Sequence, residues 1–362
     1  MTARVRFLPL TMVSVLALSV TAHAADLKLI GTIPVPGKPL TSFDIAYVDQ
    51  ASERLFFANR SNGTVDVFDT KTDKIIGQVG GLVGPVLGPT GTVNNNKSGP
   101  DGVLGFGDEA WAGDGDSTVK VIDLKTMKVV DTIATGGMTR LDEMAFDPVD
   151  QIFIGVNNAE TPPYATLIST KPGHKVLGKV MLPDATGGAE QPGYNAADGM
   201  FYVAIPELKM QVATGGVAVI DPRAGTLVKT LPVQNCRPNG LMFGPDQNFV
   251  LGCQANGGAN GLPPLIVIMN AKTGAVVANV AGIGGADMVG YSAKNGQFYS
   301  GSANQPGGPV LGVIDAKTNA LVQKIPTGAG ASKVAADDTN GHVYVPVGSA
   351  NGGCGCIQVY AP

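Results

Sequence analysis

The chain has 362 residues, 50 of them Gly and 25 Pro, with a formal net charge of −4. A mildly acidic balance with no basic run argues against nucleic acid and against anionic membranes as partners. There are 3 histidines, one of them close to the N-terminus, which disfavours a multi-histidine copper or zinc centre.

Residues 1–24 read as a secretory signal. Arg4 and Arg6 are followed by an apolar run from Phe7 to Val20, then by the small-x-small site Ala22-His23-Ala24. The remainder, 25–362, is expected to be one exported domain, periplasmic or secreted. No other segment reaches the ~18 apolar residues that span a bilayer, so no membrane span is expected.

The next stretch, "LKLIGTIPVPG", has the look of an outer strand with no partner before it. From there a unit repeats. "VDVFDTKTDKIIGQV", "VKVIDLKTMKVVDTI", "TLISTKPGHKVLGKV", "VAVIDPRAGTLVKTL", "IVIMNAKTGAVVANV" and "LGVIDAKTNALVQKI" each join two alternating strands through a polar turn. A second hairpin precedes most of them, as in "EMAFDPVDQIFIGVNN" and "GLMFGPDQNFVLGCQ". Four short strands recurring roughly every 50 residues predict propeller blades. The chain ends on "CIQVYAP", a third strand lacking a fourth. The two orphans complement each other, so the prediction is an all-β, seven-bladed propeller of four-stranded antiparallel blades. Its N-terminal strand pairs with its C-terminal strand, which removes exposed edges.

In such a ring the loop entering each innermost strand sits at one mouth of the central channel. In chain order these entries offer Asp44, Asp101, Asp142-Glu143, Glu190-Gln191, Arg237 with Asn239, Asp287, and Ser332-Lys333. Two readings fit. They are turn residues, favoured at strand starts for local reasons, or they are carboxylates converging on a cation, which offsets their mutual repulsion. Ca²⁺ suits the second, since it takes oxygen ligands from Asp, Glu, Asn and backbone.

Three loops stand out. Residues 81–101, around "NNNKSGPDG", form an insertion long enough to act as a lid. "TPPYATL" (161–167) is a proline-stiffened loop with the reach to overhang the mouth. "CRPNGLMFGPD" (236–246) puts Asn239 between Pro238 and Gly240, just before an apolar strand. Trp111 falls on a second strand and is expected to pack. Cys236 and Cys253 flank one hairpin and are expected to form a disulfide in an exported protein. A bridge across Cys354-Gly-Cys356 would be strained, so that pair is expected to be either a labile disulfide or two free thiols.

Two resemblances add to this. "FIGVNN", "FYVAIP" and "VYVPVG" resemble the tyrosine-valine-threonine-asparagine repeat propellers of exported bacterial proteins. "RPNGLMFGPDQNFVLG" and "GADMVGYSAKNGQFYSG" resemble consecutive blades of the gluconolactonase, senescence-marker and luciferin-regenerating family. That family is usually six-bladed, and it reads Asp-Gly-Met where this chain reads Ala-Asp-Met. The resemblance implies metal ligands at Asn239 and Asp287, with Asp44 in the place of an early Glu, and Glu190 or Gln191, Glu190 first, in the place of a further Asn. It implies a metal-dependent lactonase or esterase in which a divalent cation, Ca²⁺ first, polarises the carbonyl. Asp287 would be the general base, and Arg237, Lys333 and Glu143 would bind substrate. The alternative is a non-catalytic propeller that binds a ligand or protein.

Overall fold

The computed structural model describes residues 1–2, 26–254 and 262–362. The expected leader, 1–24, lies outside the described residues apart from its first two. Seven four-stranded antiparallel sheets follow one another around a ring. Blades one to six each run through four consecutive strands: 46–79, 103–134, 144–181, 192–234, 238–281 and 286–326. Blade seven takes Ala335–Ala336, Val343–Val347 and Cys356–Ala361 from the C-terminal end and Lys28–Pro34 from the N-terminal end. Leu29 pairs with Tyr360 and Ile33 with Ile357, which closes the ring as predicted. Gln323 of blade six adds a clamp: it accepts from Leu27 N–H at 3.0 Å and donates to the Leu27 carbonyl at 2.9 Å.

Burial follows the radius. Second strands such as Ile152–Asn157 are buried throughout, because a neighbouring blade covers each face. Fourth strands such as Lys74–Val79 alternate between exposed and half-buried positions, because the outer rim meets water. The polar turns between third and fourth strands repeat one device. Asp69 Oδ1 accepts from both N–H and Oγ1–H of Thr72 at 2.8 Å, and Asp123 with Thr126 and Asp315 with Thr318 do the same. In blades one to six the pairing then slips by one residue, at Val67/Phe68 in blade one and Val313/Ile314 in blade six. These aspartates are therefore structural.

The core is a set of layers between blades. Trp111 is fully buried, lies tilted with its ring centroid 5.0 Å from that of Phe153 of the next blade, and gives its N–H to Glu109 at 2.8 Å. Burying such a ring contributes on the order of 3 kcal/mol. No helix among the described residues is long and apolar enough to cross a membrane.

Candidate functional site

Six of the seven strand entries converge on a cavity of about 490 Å³ at one mouth of the channel, lined by Asp44, Asp142-Glu143, Glu190, Asn239, Asp287 and Ser332-Lys333. The seventh, Asp101, lies fully buried beside it. Close packing of neighbouring innermost strands brings them together. A Cβ on Gly240 would stand 2.8 Å from Val289 N, and one on Gly102 would fall against the Asp142 carbonyl. Only glycine lets those strands approach so near.

The charged groups divide into two sets. In the first, Arg60 binds Asp44 at 2.5 Å and also Asp101, while Arg140 binds Asp142 at 2.6 Å and reaches Asp101 at 3.4 Å. Lys333 stands 3.3 Å from Asp44. Burial opposes charge on Asp44, but Lys333, Arg60 and Arg140 outweigh it and hold its pKa at about 2. Asp142 is pushed up to about 6 by burial, against the pull of Arg140 and with the push of Asp44 and Asp287. Asn158 also donates to Asp142.

The second set is acidic. One carboxylate oxygen from each of Glu143, Glu190 and Asp287 lies within 4.8 Å of the others. Asp287 takes the Lys333 ammonium at 2.5 Å on Oδ2 and the Asn239 amide at 3.2 Å on Oδ1. Among the described residues neither Glu143 nor Glu190 forms a salt bridge, although Arg140 pulls on Glu190 from further off. Burial first, and then the surrounding carboxylates, push both well above the usual glutamate range. Two buried oxygens here make no hydrogen bond: Asn239 Oδ1 and Glu143 Oε2, on residues 5 % and 3 % exposed. Each such omission costs about 1–3 kcal/mol.

A hard divalent cation fits that second set. Ligand oxygens about 2.3–2.6 Å from a Ca²⁺ stand up to ~5 Å apart across it, and the three carboxylate oxygens lie inside that limit. Because Asn239 Nδ2 donates to Asp287, its Oδ1 faces away from that carboxylate and remains available. Around the mouth six carboxylates face three cations: Asp44, Asp101, Asp142, Glu143, Glu190 and Asp287 against Arg60, Arg140 and Lys333. A divalent charge reduces the excess.

Several expectations change. Glu190, Asn239 and Asp287 do come together, but Asp44 is taken by Arg60 and Lys333, and Glu143 stands in its place beside them. Arg237 turns outward to Glu207 at 2.7 Å and does not line the cavity. Gln191 accepts from Leu241 N–H at 2.8 Å and ties blade four to blade five. Asp287, the expected base, has both oxygens engaged. "TPPYATL" runs into the third strand of blade three, Tyr164–Ser169, and does not overhang the mouth, whereas the 81–101 insertion does reach it. Val93 and Asn95 line the cavity, and Asn95 accepts from Arg60 at 3.3 Å.

Sequence reasoning missed Arg60 and Arg140. Arg60 follows the second strand of blade one, as Asn158 and Gln254 follow those of blades three and five. An antiparallel hairpin returns the chain to the mouth it left, so second-strand exits form another ring beside the first-strand entries. Disulfides join Cys236 to Cys253 and Cys354 to Cys356.

No family model matches the chain, and no curated protein does. Among solved structures it is similar to Kuenenia stuttgartiensis hydrazine synthase. The TM-score is 0.69 and the identity 16 %, over 94 % of this chain and 98 % of that one. At that identity the likeness is one of propeller fold.

Proposed function

We propose that this chain is an exported propeller whose channel mouth binds a divalent cation, Ca²⁺ first, and that it is a metal-dependent hydrolase of lactones or esters. The observation that carries the reading is the pair of unpartnered buried oxygens, Asn239 Oδ1 and Glu143 Oε2, beside three clustered carboxylates. Glu143, Glu190, Asp287 and Asn239 would hold the ion. When bound, it supplies Lewis-acid polarisation of a substrate carbonyl.

The chain's own residues supply the rest. Glu190 is half-buried, lines the cavity and forms no salt bridge among the described residues, so it suits the role of proton acceptor from an attacking water. Holding the ion through one oxygen would leave its second oxygen to take that proton. Lys333, which also lines the cavity, offers its ammonium to an oxyanion or to an anionic group of the substrate. Arg60 and Arg140 hold Asp44, Asp101 and Asp142 in place and keep the wall of the mouth rigid.

One observation favours a second reading, a non-catalytic propeller that binds a cation and ligand. Asp287, the base expected from family resemblance, already carries one hydrogen bond on each oxygen, from Lys333 and from Asn239, which leaves it less free to take a proton. A screen of lactones and aryl esters, with chelator and with Ca²⁺ restored, separates the two. Turnover that chelator removes and Ca²⁺ restores supports the hydrolase. A Ca²⁺-dependent rise in melting temperature without turnover supports the binding propeller. Turnover indifferent to chelator refutes the metal-dependent reading.

A further inference from the structure

The two disulfides differ in setting. Cys236 and Cys253 are 0 % and 2 % exposed and lie 17 residues apart, inside the core of blade five. Cys354 and Cys356 are separated by two, with only Gly355 between them. A cross-link stabilises largely by restricting the unfolded chain, and the effect grows with the loop it closes. A loop as short as Cys354–Cys356 restricts almost nothing, so stability does not account for this bond.

Its position is accessible. Cys354 is exposed, while Cys356, 3 % exposed, heads the closing strand Cys356–Ala361. A surface cavity of about 460 Å³ is lined by Thr327–Gly330 and Asn351–Gly353, and Gly353 is the residue before Cys354. The surrounding backbone is held without the bond. Cys356 pairs with Val347 on one side and Pro34 on the other, Ser349 N–H donates to the Leu40 carbonyl at 2.8 Å, and Gly348 N–H to the Ala329 carbonyl at 2.8 Å. The sulfur–sulfur bond can therefore open with blade seven intact.

We propose that Cys354–Cys356 is a thiol-exchange site, which takes two electrons from low-molecular-weight thiols. A thiolate attacks the exposed Cys354 Sγ. The Sγ–Sγ bond breaks, Cys356 leaves as the thiolate and takes up the proton the incoming thiol released, and a mixed disulfide remains on Cys354. A second thiolate attacks the small-molecule sulfur of that mixed disulfide. Cys354 leaves as the thiolate and takes up the second proton. Two thiols are oxidised to one disulfide, and the cystine is reduced to two cysteines. Access to the attacked sulfur controls the rate, and only Cys354 among the four cysteines is exposed.

The test uses the folded full chain, titrated with reduced glutathione, quenched with maleimide and mapped by mass. Cys354 and Cys356 should become labelled at glutathione concentrations at least about tenfold below those that label Cys236 and Cys253. The early glutathione adduct should map to Cys354. The Cys354→Ser variant should melt as the parent does and consume no glutathione under the same conditions. Labelling of all four cysteines together, only as the protein unfolds, overturns the proposal. So does a Cys354→Ser variant that consumes glutathione as fast as the parent.

Discussion

The Lys333 ammonium stands 2.5 Å from Asp287 Oδ2 and 3.3 Å from Asp44 Oδ1, so one side chain of blade seven ties blade six to blade one. Burial disfavours its charge, but Asp287 and Asp44 outweigh that and raise its pKa above the ordinary lysine value. The contact lies where the ring closes at the mouth, and it joins the guanidinium-held set of carboxylates to the acidic set.

Removing that ammonium strands two carboxylates. Lys333→Met keeps most of the stem and deletes the charge, and it should destabilise the metal-free protein by about 3–5 kcal/mol, as loss of one partner of a buried pair does. Denaturant unfolding in chelator measures it. The same variant should bind Ca²⁺ more tightly, because Asp287 Oδ2 is released. A Lys333→Met protein with the parent's midpoint in chelator would show that the pair carries no stability.

Cation binding should appear as stabilisation by mass action. At a hundredfold excess of Ca²⁺ over its dissociation constant the gain is about 2.7 kcal/mol. Asn239→Ala and Glu190→Gln should each abolish or greatly weaken the Ca²⁺-dependent rise in melting temperature. Arg237→Ala should leave it intact, since Arg237 is bound to Glu207 away from the cavity. Equal responses in all three variants would remove the ion from this cluster.

The mouth also predicts an uncommon pH dependence. Asp142, at about 6 in the fold, and Glu143 and Glu190, also raised, bind protons more tightly folded than unfolded. Their ionisation therefore costs stability as pH rises from their unfolded values, near 4, through their folded ones. For Asp142 alone the cost is on the order of 3 kcal/mol. Asp44 acts oppositely: its folded value of about 2 contributes stability above pH ~4 that is lost as pH falls toward 2. Melting in chelator should peak near pH 4 and decline toward pH 7. Saturating Ca²⁺ should flatten or reverse that decline, because the ion binds the ionised carboxylates. A chelator profile that rises steadily to pH 7 would contradict the buried, unpaired glutamates.

Ring closure can be tested by truncation. Deleting Ile357–Pro362 removes most of the strand that pairs with Lys28–Pro34 on one side and Val343–Val347 on the other. The truncated protein should aggregate or lose its cooperative transition. Melting like the parent would mean that blade seven is dispensable.

Strand periodicity and turn chemistry are local, and they were legible from end to end. Six repeats of strand–turn–strand, and two orphan strands at the chain's ends, were enough to predict seven blades and their closure. The same periodicity placed Asp44, Glu190, Asn239 and Asp287 at one mouth, because position within a blade determines which end of it a residue occupies. Partner choice is different in kind. Whether Asp44 meets a cation site or Arg60, and whether Arg237 points inward or to Glu207, depends on how strand ends and loops meet in space at the mouth, 16 and 30 residues apart in the chain. Arg60 lies 41 residues from Asp101, and Lys333 lies 46 from Asp287. Charge pairing acts over a few ångströms with no sequence period, so even pairs close in the chain, such as Arg140 with Asp142, could not be read from it, and the closed ring decided the inter-blade ones. Among the described residues, Glu143 and Glu190 were the two mouth carboxylates left without a salt bridge.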